Sequence, residues 1–217
     1  MSLTKKRTSQ TKERTPETKE GTPDEYLLLD AAGSGDIEKV QDLLSDSDIN
    51  INFQDHHNNT ALTLAATEGH IEIVKTLLAD KRIDVNKIGD LDESTALILA
   101  AREGHLKIVK ALLADKRVDV NSKESLGSSA LYFAVIDRDI HMVEALLNRG
   151  AETNDIKLNK RLDDLIKKNP NDKKFKDIKS LLSKKGGFTK RRNSRKHRRT
   201  KRKPAKGKSQ IYWGTFK

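Results

Sequence analysis

Residues 60–78 read TALTLAATEGHIEIVKTLL, and residues 95–113 read TALILAAREGHLKIVKALL. The second stretch repeats the first 35 residues further along the chain. A third copy starts at Ser129, and an earlier, looser copy starts at Leu29. A fixed period of 20 to 50 residues is the sequence signature of repeat architectures. The chain is therefore predicted to contain an array of four similar units.

One unit predicts two short helices joined by a tight turn. Thr60 precedes an apolar run and has the hydroxyl typical of an N-cap. Gly69 stands where a left-handed residue would end the first helix. Ile71, Val74 and Leu77 then recur at helical spacing on one face. The equivalent hydroxyl and glycine positions in the later copies are Thr95, Ser129 and Gly104. A helix pair this short cannot bury its apolar face alone, and neighbouring units are therefore expected to stack. The paired alanines let the first helices of neighbouring units approach closely.

Over about residues 26 to 156 this pattern resembles ankyrin repeats, whose motif is T-P-L-H-x-A-A-x-x-G-H-x-x-I-V-x-x-L-L followed by an Asp-Val-Asn turn. The resemblance implies an all-α fold, an ankyrin-repeat solenoid of stacked helix-turn-helix units with inter-repeat loops. In that family the His at positions 70 and 105 is structural and bonds backbone groups of the turn. A different His of the family belongs to the Pro-Leu-His triplet, which is replaced here by Ala61-Leu62-Thr63, Ala96-Leu97-Ile98 and Ala130-Leu131-Tyr132. The hydrogen-bond network that the triplet's His makes between repeats is therefore expected to be missing. A one-residue insertion at Lys81-Arg82 and at Lys116-Arg117 accounts for the 35-residue period.

The chain divides by composition into repeats, a cap and two tails. The repeats are expected at about residues 25–52, 53–86, 87–121 and 122–154. Apolar stripes before and after Asn169-Pro170 predict a degenerate helical cap over residues 155–185, or alternatively a separate helical hairpin. Residues 1–24 and 186–217 are nearly free of apolar periodicity, so both are predicted to be disordered tails.

Charge is distributed unevenly along the 217 residues, whose formal net charge is +11. Residues 26–156 hold 13 Lys and Arg against 23 Asp and Glu, a net of −10. Residues 184–217 hold 15 Lys and Arg and no acid. The body of the protein is therefore acidic and its C-terminal segment is basic.

The basic C-terminal segment is compatible with two functions that do not exclude each other. It resembles a bipartite nuclear import signal read by an import receptor. It could equally contact the phosphates of DNA or RNA without reading sequence. A merely solubilising tail is the third interpretation. The residues predicted to carry the function are Lys190, Arg191, Arg192, Arg195, Lys196, Arg198, Arg199, Lys201, Arg202 and Lys203. The terminal segment Ile211 to Phe216 is either a docking motif, a base-stacking segment or an ordinary hydrophobic end.

Nothing in the sequence predicts an enzyme, a cofactor or a metal site. The chain has no cysteine, and His56-His57 lacks a second spaced pair of ligands for zinc. Gly33-Ser34-Gly35-Asp36 lacks the Gly-Lys-Ser of a phosphate-binding loop and aligns with a helix turn. The basic N-terminus has no apolar core for secretion, and no stretch is long enough to span a membrane. An intracellular, cytoplasmic or nuclear monomer is expected.

The resemblance also implies where a protein partner binds, because ankyrin proteins use loop tips and exposed positions of the first helices. The loop residues are His56, His57, Asn59, Leu91, Asp92, Ser94, Ser125, Leu126 and Ser128. The first-helix residues are Thr67, Glu68, Arg102, Glu103, Ile136 and Asp137. Acids outnumber bases in this set, so the partner is expected to present a basic segment.

Overall fold

A computed structural model describes residues 21–184 of the chain. The chain forms two compact units, divided between Val118 and Asp119. The tail predictions for residues 1–20 and 186–217, including the ten basic residues named for them, lie outside the described residues.

The first unit consists of three helix pairs and one small hairpin. Its helices are α1 (Pro23–Ser34), α2 (Ile37–Leu44), α3 (Ala61–Glu68), α4 (Ile71–Ala79), α5 (Ala96–Arg102) and α6 (Leu106–Ala114). Two short antiparallel strands, β1 (Ile88–Gly89) and β2 (Ser94–Thr95), precede α5 and pair Ile88 with Thr95. The helix-turn-helix prediction is therefore confirmed, and the loop before α5 contains a minimal hairpin.

The first helix begins earlier than the sequence interpretation placed it. Thr22 is the N-cap, Pro23 is the first helical residue, and Thr22 and Glu25 form a reciprocal capping box. A capping box satisfies two backbone N–H groups that the first turn leaves free. The boundary of the N-terminal tail at residue 24 was therefore wrong, because residues 22–24 start the first repeat.

Equivalent helices of successive repeats pack on one another. Helix α3 packs against α1 and α5, and α4 packs against α2 and α6. The paired alanines at 65–66 and 100–101 are fully buried between the first helices, as predicted. Val74, Leu77, Val109 and Leu112 fill the layer between the first and second helices. Small residues on one side and branched residues on the other thus set the spacing of the stack.

Histidines link each helix turn to the repeat before it. Gly69 and Gly104 adopt left-handed φ values of 86° and 77°, as the sequence predicts for helix ends, and Gly35 has a φ of 85° in the first repeat. The Nε2 atom of His70 lies 3.0 Å from the Gly33 carbonyl oxygen, and that of His105 lies 2.9 Å from the Thr67 carbonyl oxygen. Both partners belong to the preceding repeat. Each histidine therefore joins two repeats and does not merely close its own turn.

Arginines link the other side of the repeats. The Arg82 guanidinium donates to the carbonyl oxygens of Ser47 at 2.8 Å and Leu44 at 3.4 Å. Arg117 donates in the same way to the Leu78 carbonyl, at 3.1 Å. Leu44 is the last residue of α2 and Leu78 is the last but one of α4. The final carbonyls of a helix have no partner within it. Each arginine thus caps the helix of the repeat before it.

Asparagines of the turn motif complete the contacts between repeats. The Asn52 amide donates to the Arg82 carbonyl at 2.8 Å and accepts from the backbone N–H of Asp84 at 2.7 Å. Asn86 donates to the Arg117 carbonyl at 2.8 Å. In the second unit, Asn121 accepts from the backbone N–H of Glu152 at 2.9 Å. One recurring residue type therefore pairs with backbone groups of the next repeat.

The predicted N-cap residues differ in whether their side chains hydrogen-bond to the first turn of the helix. Thr60 and Thr63 form a reciprocal capping box, with hydrogen bonds of 2.8 and 3.1 Å to the backbone N–H groups. Ile98 stands in the equivalent place after Thr95 and has no polar group with which to form one. The Thr95 hydroxyl is buried and has no hydrogen-bond partner among the described residues. The expectation that the Thr95 side chain caps its helix was therefore wrong.

We expect opposite results from two matched substitutions at these caps. Thr60→Val lowers the free energy of unfolding by about 1–2 kcal/mol, because it leaves the buried backbone N–H of Thr63 without its acceptor. Thr95→Val keeps the shape and removes an unpaired buried hydroxyl, so it is neutral or raises stability by up to about 1 kcal/mol. Urea unfolding of the full chain measures both. A Thr95→Val variant as unstable as Thr60→Val would contradict this account of the caps.

The second unit contains α7 (Ala130–Ile136), α8 (Ile140–Arg149), α9 (Ile156–Lys168) and a further helix, α10, over residues 173–184. Ser129 caps α7 through the backbone N–H of Tyr132, as predicted. Helix α7 packs against α8 and α9. Leu158, Leu162, Phe175 and Ile178 are buried, so the two apolar stripes predicted around Asn169-Pro170 do form helices.

Candidate partner-binding surface

A carboxylate closes the tip of each inter-repeat loop. Asp55 accepts from the backbone N–H of Asn59 at 2.8 Å, and Asp90 accepts from that of Ser94 at 3.1 Å. In the second unit, Glu124 accepts from the backbone N–H of Ser128 at 2.8 Å. The spacing of four residues is the same in all three loops. A side chain that bonds backbone N–H groups a few residues on stabilises a tight turn without any partner.

Burial and hydrogen bonding act in opposite directions on Glu124. Burial raises its pKa, but hydrogen bonds from Leu126 and Ser128 and the nearby Lys157 cation hold the pKa below its usual range. The ionised carboxylate therefore persists at neutral pH in a nearly buried position. It fixes the tip that carries Leu126.

Leucines stand at the outermost point of two tips. Leu91 is 75% exposed and Leu126 is 77% exposed. In the second unit, the Lys157 ammonium donates to the Leu126 carbonyl at 2.7 Å and to the Ser128 hydroxyl at 2.9 Å. Both loops are held rigid by internal hydrogen bonds. An apolar side chain held outward on a rigid loop is suited to burial against another molecule.

Arg102 connects the first helix of its repeat to the tip. Its guanidinium lies 3.1 Å from the Asp90 carboxylate, 3.5 Å from Asp92 and 3.7 Å from Glu103. One cation thus faces three carboxylates, and the group as a whole is acidic. The Asp92 side chain stays 58% exposed and that of Glu103 44% exposed, so both remain accessible to a basic group.

Two adjacent repeats contribute to the accessible face of the first unit. His56 and His57 are exposed, with ring centroids 3.9 Å apart. Gln54 donates to the Ile88 carbonyl at 2.8 Å and so ties the first loop to the base of the β1–β2 hairpin. Glu68, at the end of α3, is exposed. We define the tip surface as His56, His57, Glu68, Leu91, Asp92, Arg102 and Glu103.

Several predicted contact residues are turned inward. Ser94 is fully buried and Ser128 is 4% exposed, so the expectation that they face a partner was wrong. Both directly precede the cap of a first helix, and their backbone N–H groups close the loop. Asn59 is half-buried and donates to Asp55, while the Thr67 hydroxyl donates to the Thr63 carbonyl. In the second unit Ile136 is half-buried, whereas Ser125 and Asp137 are exposed.

The sequence interpretation missed Asp55, Asp90 and Glu124, which shape the tips. A signal was present, because an acid recurs five residues ahead of each N-cap residue, Thr60, Thr95 and Ser129. It was hidden by the change from Asp to Glu in the third loop. These residues shape their own loops, and two of those loops leave a leucine exposed, Leu91 in the first unit and Leu126 in the second.

Within residues 21–184, no group of three or more His, Cys, Asp or Glu is arranged to hold a metal ion. No helix in the same range is long and apolar enough to cross a membrane. The tip surface of the first unit thus combines one exposed leucine, accessible carboxylates and one arginine that is already engaged by carboxylates.

Comparison with known proteins agrees with the repeat geometry. The family model described as "Ankyrin repeats (3 copies)" matches residues 27–124 and, overlapping with these, residues 83–158. Together the two matches cover more than half of the chain. No curated protein matches the chain.

Proposed function

Because the chain belongs to the ankyrin-repeat family, whose repeats generally mediate protein–protein interaction, we propose that it is a non-catalytic scaffold that binds a protein through the tip surface. The observation that carries the proposal is Leu91, three-quarters exposed on a loop held by its own hydrogen bonds. A rigid apolar anchor loses little conformational entropy when it is buried against a partner.

The charges around Leu91 indicate the chemistry of the partner. Asp92 is the next residue in the chain, Glu103 and Asp92 both lie near Arg102, and Glu68 ends the first helix of the preceding repeat. All three carboxylates are accessible, while Arg102 is already engaged by carboxylates. Complementary charge steers association and suppresses binding of like-charged partners. The partner is therefore proposed to present a basic segment containing an apolar side chain that packs on Leu91.

Peptides selected from a random display library against the immobilised full-length chain test this proposal. We expect the selected peptides to be basic and to contain a large apolar residue. Leu91→Asp and Asp92→Lys each weaken their binding at least about tenfold, roughly 1.4 kcal/mol, because they remove the anchor or reverse the local charge. Isothermal titration with wild-type and variant chains gives the ratio of dissociation constants.

Glu144→Lys is the matched control, since Glu144 is exposed on α8 and outside the tip surface. It changes the net charge as much as Asp92→Lys does, and binding should stay within about twofold of wild type. Selection of acidic peptides, or equal binding by the wild-type and Leu91→Asp chains, would refute the proposal.

A second proposal concerns the C-terminal segment and is supported by composition alone. Residues 184–217 contain 15 Lys and Arg without any acid, against a net charge of −10 over residues 26–156. Such a segment suits an import receptor that reads basic clusters, or the phosphates of a nucleic acid. Two measurements on the full chain, each with and without neutralised charges at residues 190–203, separate these functions. Imaging of a fluorescent fusion reports nuclear accumulation, and a salt titration in vitro reports nucleic-acid binding.

A further inference from the structure

Positive charge begins in the folded part of the second unit, well before the C-terminal segment. Residues 119–156 contain three Lys and Arg against seven Asp and Glu. Residues 157–184, which include nearly all of α9 and the whole of α10, contain ten Lys and Arg against four acids, a net charge of +6. The change of sign therefore lies at the start of α9.

Two of these four acids are already committed to ion pairs. The Lys179 ammonium lies 2.5 Å from the Asp163 carboxylate. Arg138, which follows α7, lies 3.0 Å from Asp172, and its hydrogen bond lowers the pKa of that carboxyl. Asp172 therefore neutralises a cation from outside the two helices. The lysines of α9 and α10 are left with little compensation.

The uncompensated lysines lie on the outward faces of both helices. Helix α9 buries Leu158 and Leu162, and α10 buries Phe175, Ile178 and Leu182. Helical spacing places the lysines opposite these buried residues, and all of them are exposed. We define the lysine surface as Lys160, Lys167, Lys168, Lys173, Lys176 and Lys184. Within residues 21–184, none of their ammonium groups makes a hydrogen bond or ion pair, and only Lys167 lies close enough to a paired carboxylate, that of Asp163, to help lower its pKa.

We propose that the lysine surface binds the phosphate backbone of duplex nucleic acid without reading base sequence. Ammonium groups act as point charges toward phosphates, and such contacts position a protein without specifying sequence. Helix α9 has 13 residues, which at 1.5 Å per residue is about 20 Å, or roughly six base pairs of helix rise. The charge also continues into residues 185–217, which contain 14 Lys and Arg and no acid.

Duplex nucleic acid is favoured over an anionic membrane by the way the helices are buried. Helices that bind at a membrane surface insert an apolar face between the lipids. The apolar residues of α9 and α10 are buried or half-buried within the protein, except Ile156 at the start of α9, which is 85% exposed. Only charged and polar side chains are exposed on α10. The lysine surface therefore offers electrostatic contact, and a single exposed isoleucine is not the apolar face that a membrane-surface helix inserts.

The test measures how the affinity of the full-length chain for a 20-base-pair DNA duplex of arbitrary sequence depends on salt. The test variant carries Lys160→Gln, Lys167→Gln, Lys173→Gln and Lys176→Gln together. Each phosphate neutralised contributes about 0.9 to the slope of log affinity against log salt. The slope of the variant is expected to be shallower than that of wild type by about 3.6 if all four lysines contact phosphates.

Two further variants isolate the effect of position and of charge. Lys81→Gln, Lys87→Gln, Lys107→Gln and Lys110→Gln remove the same charge from the first unit and should leave the slope unchanged. Arginine at the four test positions keeps the charge and should retain the wild-type slope, which separates loss of charge from loss of fold. The inference stands apart from peptide binding at the tip surface, which the four test substitutions should not alter.

Three outcomes would overturn the inference. One is a wild-type chain that fails to bind the duplex at low salt. Another is an equal slope for the wild-type and test variants, which would place the whole contact in residues 185–217. The third is binding to vesicles of anionic lipid that depends on the four lysines while duplex binding does not.

Discussion

Gly69→Ala is expected to lower the free energy of unfolding by about 2–3 kcal/mol, whereas Gly104→Ala lowers it by only about 1 kcal/mol. Both glycines have left-handed φ values, 86° and 77°. A side chain at either position therefore incurs the strain of a non-glycine residue in that region. The difference between the two comes from what surrounds the added methyl group.

A methyl group at Gly69 would lie 2.8 Å from Cε1 of His105. That imidazole is held by its contact with the Thr67 carbonyl, so it cannot move aside without losing the link between two repeats. At Gly104, no heavy atom of the described residues lies within 4 Å of such a methyl group. The two substitutions are chemically identical and differ only in the histidine contact.

Urea unfolding of the full chain measures both glycine variants. The double variant Gly69→Ala, His105→Ala should be less destabilised than the sum of its single substitutions, because without the imidazole the steric conflict disappears. Strict additivity would contradict the explanation. So would an equal loss of stability at Gly69 and Gly104.

Arg82→Ala is expected to lower the free energy of unfolding by about 2 kcal/mol. Its guanidinium caps carbonyls of the preceding repeat and also binds Asp80, at 2.7 Å. Hydrogen bonds from a charged donor contribute about 1.5–3 kcal/mol, reduced here because the side chain is one-third exposed. Arg82→Lys should recover little of the loss, because one ammonium cannot reproduce the planar fork.

Lys81→Ala is the matched control for Arg82→Ala. Lys81 is the exposed neighbour of Arg82, and its removal should change stability by no more than about 0.5 kcal/mol. Chemical denaturation at neutral pH, with all variants in the same full-length chain, gives the comparison. Equal stability of the wild-type and Arg82→Ala chains would show that the cap contributes nothing.

The effect of Arg82 should also depend on pH. The hydrogen bond from Arg82 holds the pKa of Asp80 below its usual range. A carboxyl whose pKa is lowered by folding stabilises the folded state above its unfolded pKa of about 3.9. That contribution is lost as the pH falls through the folded pKa. The difference between wild type and Arg82→Ala should therefore be largest near neutral pH and shrink below about pH 4.

The fold could be predicted from sequence because its determinants recur at a fixed period. Cap hydroxyls, turn glycines and buried alanines leave the same mark in each copy, and the stacked helix pairs were confirmed. The role of Arg82 could not be predicted in this way. Its partners are backbone carbonyls, and because every residue has one, no sequence pattern marks them. The repeated Asp-Lys-Arg sequence showed that the arginine recurs but not which groups it contacts.

The candidate surface was predicted less completely than the fold. The exposure of Leu91 and Leu126 could be predicted, because the repeat alignment places both apolar residues at loop tips. The burial of Ser94 and Ser128 could not, because small polar residues occupy both exposed tips and closed turns. The sequence predicted the region of the lysine surface only as a degenerate helical cap, from its apolar stripes. Its lack of compensating acids became visible when the ion pairs of Asp163 and Asp172 were located.

The joints between repeats in the first unit have a consequence for how such a protein can change over time. His70, Arg82 and Asn52 all bond to main-chain atoms of the adjoining repeat. Apart from the turn glycine that leaves room for each histidine ring, the receiving side of each joint is therefore indifferent to which amino acids occupy it. A unit that carries its own histidine, arginine and asparagine could be duplicated, lost or exchanged by recombination, and new neighbours would still fit. Variation could then accumulate at the tips while the joints stayed compatible.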